Sequence, residues 1–180
     1  CQGLSLLERD LERGAACDFA LIEFGGNDCN FDWAAVAQAP EHEHEPHTPL
    51  MRFEETYRKF IARLRTAGIT PVAMTLPPLD AERYLHHIGR TADKSNVLRW
   101  LGDAQMIYRF HELYSQRVAA LAQEASVWLI DIRQRFLTQH SFTKLIGQDG
   151  IHLSADGYQW LAELLGSFAA AKAELRLKQA

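Results

Sequence analysis

Two short stretches carry residue types suited to a single chemistry. Toward the carboxyl end, Asp149-Gly150-Ile151-His152 sets a carboxylate three residues before an imidazole, with a glycine between them to ease a tight turn. Acyl transfer to a hydroxyl nucleophile needs that pair: the imidazole takes the hydroxyl proton, and the carboxylate fixes the tautomer and stabilises the imidazolium. Toward the amino end, Gly25-Gly26-Asn27-Asp28 offers the NH2 group of Asn27, a donor suited to an oxyanion that develops in the transition state. Each stretch alone has a plainer reading. Asn-Asp after a strand is commonly an Asx-turn, and Asp with His before a helix can be a capping pair. Their co-occurrence, one after a strand and one before the last helix, is the informative fact.

The elements that must position these residues follow from patterning. Phe19 to Phe24 is a short apolar run with one charge, bounded by Asp18 and by two glycines, which predicts a buried strand of a parallel sheet. Ligands bind beyond the carboxyl ends of such strands, so Asn27 and Asp28 are expected at a crevice. Pro71 to Leu76 and Val127 to Ile132 predict two further strands. Helices are predicted over Gly3 to Arg13 with Leu4, Leu7 and Leu11 on one face, and from a Thr48 cap and first-turn Pro49 up to Gly68. Two more cover Asp103 to Glu124, with Ile107, Phe110, Tyr114, Val118 and Leu121 inward, and the segment after a Ser154 cap, with Tyr158, Leu161, Leu165 and Phe168 buried. Ala34 to Ala39 and Arg133 to Leu137 read as short helical turns. Residues 79–102 read as a partly helical insertion over the crevice. Strands alternating with helices over the whole length predict one α/β domain, residues 1–180, with a parallel sheet.

Composition sets limits. A chain of 180 residues with 47% hydrophobic content suits one domain with a real core, and a net charge of −4 without a basic stripe argues against nucleic acid. No apolar run approaches the roughly 20 residues that span a bilayer. Three cysteines without a CxxC favour a reducing, cytoplasmic compartment. Between Pro40 and Pro49, three histidines (His42, His44, His47) alternate with glutamates. Ligand geometry needs a rigid surrounding shell, so a solvated loop is expected there and no metal. Phe31 and Trp33 are expected as exposed aromatics overhanging the crevice. With Gly26 and Asp28 they are the candidate substrate-binding residues.

Gly25-Gly26-Asn27-Asp28 resembles the G-x-N-D block of the SGNH (GDSL-type) esterases and lipases, and Asp149-Gly150-Ile151-His152 resembles their closing D-x-x-H block. The order, the wide separation, the helix after the histidine and the helix–strand–proline unit from Thr48 to Pro78 agree, so the resemblance covers nearly the whole chain. It implies a three-layer α/β/α, flavodoxin-like sandwich and hydrolysis of a small-molecule ester without a cofactor. Under it His152 is the general base, Asp149 its orienting acid and Asn27 an oxyanion donor. Gly25 and Gly26 allow the close turn, and Asp28 braces it.

The chain departs from that family at its start. The family opens with a Gly-Asp-Ser block bearing the nucleophile, and no Gly-Asp-Ser occurs among these 180 residues, which begin at Cys1 rather than Met. The first strand and the nucleophile are therefore expected in a missing amino-terminal segment, with that segment or a second chain completing the sheet beside Phe19 to Phe24. The alternatives are a noncatalytic domain of the same fold binding an ester or carbohydrate ligand and, behind it, a metal-dependent hydrolase built on His42, His44 and His47.

Overall fold

The computed structural model of the chain describes residues 2–14 and 17–177. Three parallel strands, β1 (Phe19–Ile22), β2 (Thr70–Met74) and β3 (Trp128–Ile130), form a sheet in the order β1-β2-β3. Phe19 lies opposite Thr70 and Ile22 opposite Ala73; Val72 faces Trp128 and Met74 faces Ile130. Parallel neighbours need long crossovers, and helices supply them. Helix α1 (Gln2–Glu12) precedes β1, and α2 (Trp33–Gln38) and α3 (Leu50–Thr66) join β1 to β2. Helices α4 (Ala81–Ile88), α5 (Lys94–Leu101) and α6 (Gln105–Glu124) join β2 to β3, and α7 (Ile132–Leu137) and α8 (Ala155–Leu177) follow. This is an α/β fold on a parallel sheet. Among the described residues, no helix is long and apolar enough to cross a membrane.

Each strand is shorter than the apolar run that predicts it. Past Met74, the Thr75 N–H still reaches the Ile130 carbonyl (3.1 Å), but the Leu76 N–H turns to the Ser115 hydroxyl (3.2 Å). Past Ile22 the chain enters a glycine turn. An apolar run reports burial, and burial outlasts ladder pairing at a strand end.

The chain divides into two compact units. The first comprises Cys1–Asp32, Glu41–Leu76 and Arg109–Asp131 and holds the sheet. Its core joins Ile22 and Ala73 of the sheet to Phe53, Tyr57, Phe60, Ile61 and Leu64 of α3 and to Tyr114, Val118 and Leu121 of α6. The α3 set is the one its helical spacing predicts. The cap differs: Pro49, not Thr48, occupies the cap position, and no side chain bonds there. Thr48 serves elsewhere, its carbonyl accepting the Tyr114 hydroxyl at 2.6 Å. Leu4, Leu7 and Leu11 of α1 pack onto the same core. At the rim, Glu54 of α3 accepts from Arg117 of α6 at 2.7 Å, and Arg58 bridges Glu54 to Glu124. The Arg117 hydrogen bond is the main reason the Glu54 carboxyl lies below the ordinary carboxylate value. Strand β1 is paired on one side only, and among the described residues no strand flanks its other side. Leu21 on it is 46% exposed, an apolar side chain on an open edge.

The second unit comprises Trp33–Pro40, Pro77–Tyr108 and Ile132–Ala180. The segment 79–102 is two complete helices, α4 capped by Asp80 through the Arg83 N–H and α5 capped by Asp93 through the Asn96 N–H. Phe136, Ile146 and Leu153 form a second apolar cluster with Trp160 and Leu161 packed on it. On helix α8, Leu161, Leu165 and Phe168 are half-buried as their spacing predicts, and Tyr158 is the exception. Tyr158 is 55% exposed, while Gly157 is buried against the Leu145 carbonyl so closely that a Cβ would collide with it. In the first turn Gly157, not the expected Tyr158, therefore faces inward.

Leu64 is fully buried. Leu64→Ala is expected to cost about 2–5 kcal/mol of unfolding free energy, the range for a truncated core leucine. Urea denaturation measures it, and a loss under about 1 kcal/mol would mean that α3 is not the anchor of this core.

Candidate active site

At the end of β1, Gly25 takes φ +133°, and a Cβ there would meet the Leu76 side chain at 2.9 Å. Only glycine suits both the backbone angle and the space. The chain then coils: the Cys29 N–H donates to the Gly25 carbonyl (2.9 Å), the Asn30 N–H to that of Asn27 (3.3 Å), and the Cys29 thiol points to that of Gly26 (3.2 Å). This tight turn leaves Asn27 exposed and Asp28 half-buried. A strap from the following loop holds it. The His47 N–H donates to the Asn30 carbonyl (2.8 Å), the Thr48 N–H to that of Asp28 (3.0 Å), and His47 Nδ1 lies 3.2 Å from that of Asn27. Asp28 thus braces the turn through its main chain.

In the second unit, residues 145–147 and 152–154 form a short hairpin. Ile146 bridges Leu153, the Gly147 N–H donates to the His152 carbonyl (2.7 Å), and the Ser154 N–H donates to that of Leu145 (2.8 Å). Asp149 and Gly150 sit at its tip. One Asp149 oxygen, Oδ1, accepts the N–H groups of Ile151 and His152, both at 3.1 Å; the other, Oδ2, lies 2.6 Å from His152 Nδ1. Gly150 has φ +82°, and a Cβ would strike the Tyr84 nitrogen and the Asp80 carbonyl oxygen. Ser154 caps α8, its hydroxyl accepting the Gly157 N–H at 3.1 Å, so the helix begins three residues after the imidazole. The Asp149 side chain is 26% exposed and that of His152 is 74% exposed. Partial burial pushes the Asp149 carboxyl up. The hydrogen bonds from the His152 ring and the two backbone N–H groups, with the charge of the imidazolium, outweigh it and hold the group below the ordinary carboxylate value.

The structure therefore brings Asp149 and His152 into direct contact. It places Asn27, Gly26 and Asp28 together on the other unit's strand end. Phe31 and Trp33 are corrected. Phe31 is 3% exposed and packs on Phe110, ring centroids 4.8 Å apart, so it is a core residue and not an exposed aromatic over a crevice. Trp33 opens α2, half-buried, with ring contacts to Tyr84 and Trp100 and an indole N–H 3.4 Å from the Tyr84 hydroxyl. Aromatics after a turn look alike in sequence whether they cover a cleft or fill a core. Among the described residues, no group of three or more His, Cys, Asp or Glu is disposed to hold a metal ion. The residues that sequence reasoning passes over are Asp80 and Arg83, and His47, weighed there only as a metal ligand, instead straps the Asn27 turn. Asp80 carries a visible signal, an aspartate opening a helix directly after Pro77-Pro78-Leu79.

Gly150→Ala is expected to destabilise by about 1–3 kcal/mol, because it forces a positive φ and a backbone collision at once. Gly26→Ala, with open space around the added methyl, should stay within about 0.5 kcal/mol. Equal costs in chemical denaturation would contradict the geometry. A second expectation concerns acid. Asp149 titrates below its unfolded value of about 3.9, so its stabilisation is fully present above that pH and is lost as pH falls through the lower folded value. The stability gap between wild type and Asp149→Asn should accordingly be wide at pH 7 and narrow progressively as pH falls below about 3.9; a gap unchanged by acid would mean that the carboxylate is not what holds the turn.

Among curated proteins none matches the chain. Among solved structures, a lipase/acylhydrolase from Enterococcus faecalis is similar at 16% identity with a TM-score of 0.55, over 88% of this chain and 65% of that one. A GDSL-like lipase from Bacteroides thetaiotaomicron is similar at 14% identity with a TM-score of 0.55, over 87% of this chain and 63% of that one. These likenesses show a shared fold, and the chain spans a little under two thirds of the length of either. The model of the GDSL-like lipase/acylhydrolase family matches residues 3–160. Covering most of the sequence and both constellations, that match means that the chain belongs to the GDSL-like lipase/acylhydrolase family.

Proposed function

We propose that this chain supplies the general base, its orienting acid and one oxyanion donor of an ester hydrolase that works through a serine acyl-enzyme, the serine lying upstream of residue 1. The observation that carries the proposal is the 2.6 Å contact between His152 Nδ1 and Asp149 Oδ2, on a ring that is otherwise largely exposed. A carboxylate on Nδ1 favours the tautomer with its proton there, which leaves Nε2 free to accept one.

In this reading, His152 Nε2 takes the serine hydroxyl proton as the oxygen attacks the ester carbonyl carbon. The Asn27 amide donates to the resulting oxyanion. The imidazolium, steadied by Asp149, returns its proton to the leaving alkoxide, and the alcohol departs. Water then repeats the cycle on the acyl-enzyme, releasing the acid and the serine. Asp149 stays ionised throughout, as its lowered pKa favours. The chemistry calls for no cofactor, and the substrate is a small-molecule ester. The absence of Gly-Asp-Ser from the 180 residues favours a second reading, a noncatalytic domain that binds an ester or carbohydrate ligand.

Residues 1–180 alone are expected to hydrolyse no short-chain aryl ester above background and to take up no serine-reactive phosphonate. The chain extended by its encoded upstream segment should do both, and His152→Ala in it should lower kcat by at least about a thousandfold. Stoichiometric labelling of the isolated chain at one of its seven serines would relocate the nucleophile. Ligand binding by the extended chain without turnover would select the binding domain.

A further inference from the structure

Helix α4 grips the hairpin that carries Asp149 and His152 at two points, both from its first turn. At the tip, the Asp80 N–H donates to the Gly150 carbonyl at 2.8 Å. At the base, Arg83 Nη1 donates to the carbonyls of Thr143 (2.8 Å) and Ile146 (3.2 Å). The two gripping residues are themselves tied, since Arg83 Nε lies 3.2 Å from Asp80 Oδ2 and the Arg83 N–H donates to Asp80 Oδ1 at 3.1 Å. Ile146 is the residue that bridges Leu153, and Gly147 beside it holds the His152 carbonyl. The guanidinium therefore acts one residue away from the strand pair that sets the imidazole's main chain.

We propose that Arg83 is a positioning residue for His152, an inference that rests on reading His152 as the general base. An exposed imidazole beside one carboxylate is held only as firmly as the turn beneath it. With Asp80 at the tip and Arg83 at the base, the hairpin cannot pivot on α4. The Asp149 oxygens then keep their alignment with the two backbone N–H groups and with Nδ1. Without Arg83 the base is free to swing about the Gly150 contact, and the Nδ1 bond competes with water. Arginine suits this task because one planar fork serves the Asp80 carboxylate and two carbonyls together, which an ammonium on a flexible stem does not do.

The test reads the tautomer of His152 in the chain as it stands, by long-range proton–nitrogen correlation at about pH 8.5, where an ordinary imidazole is neutral. The His152 signal is assigned by its loss in His152→Ala. In wild type the Nδ1-protonated form is expected as the major species. In Arg83→Ala and Arg83→Lys it should fall to the minor species, while circular dichroism and cooperative thermal unfolding are retained. An unchanged tautomer in either folded variant overturns the proposal. Loss of cooperative unfolding in both overturns it too, since Arg83 would then serve the fold as a whole. The measurement needs no turnover, so it stands or falls separately from ester hydrolysis.

Discussion

One carboxylate closes the turn on which the carboxyl-terminal constellation depends. Asp149 commits Oδ1 to two consecutive backbone N–H groups and Oδ2 to the imidazole that follows them. The same side chain thus shapes the turn and orients the ring, so the two roles cannot drift apart. This economy has a geometric condition. Two N–H groups in succession point at one oxygen only if the residue directly after the acid bends back, and Gly150 does so at φ +82° with no room for a methyl. The turn, the ring and the first turn of α4 form one hydrogen-bonded body, closed at its far end by the Ser154 cap of α8.

The amino-terminal constellation obeys a similar condition by other means. Gly25 turns the chain sharply off the buried strand, and the Cys29 and Asn30 N–H groups close the turn on the carbonyls of Gly25 and Asn27. The residue this turn exposes is Asn27. The strap from His47 and Thr48 then ties it to the start of α3 and, through the Tyr114 hydroxyl, to α6.

Membership of the GDSL-like lipase/acylhydrolase family and the local chemistry of the two turns agree in kind. One unit carries an imidazole with a carboxylate on Nδ1, and the other carries an exposed amide at a strand end. What the 180 residues lack in sequence is the Gly-Asp-Ser of the resembled enzymes. Among the described residues β1 is paired on one side only, and Leu21 on it is exposed.

Much of this was legible without coordinates. Phe53, Tyr57, Phe60, Ile61 and Leu64 are buried as their spacing requires, because a helix with one apolar face has a single way to shed water from it. The Asp149–His152 contact was legible for a related reason: a three-residue separation across a glycine is a local geometry, closed by groups adjacent in the chain. The outward Tyr158 was not, since its neighbour Gly157 packs on a carbonyl twelve residues earlier. Phe31 likewise reads as a cleft aromatic until Phe110, nearly eighty positions away, is seen to cover it. Nor does any pattern announce that Arg83 would reach two carbonyls some sixty residues on. Periodicity and turn chemistry are properties of neighbours along the chain, and so the sequence carries them. Which distant backbone approaches a given face is decided only when the elements pack, because close contact excludes every rotation but one.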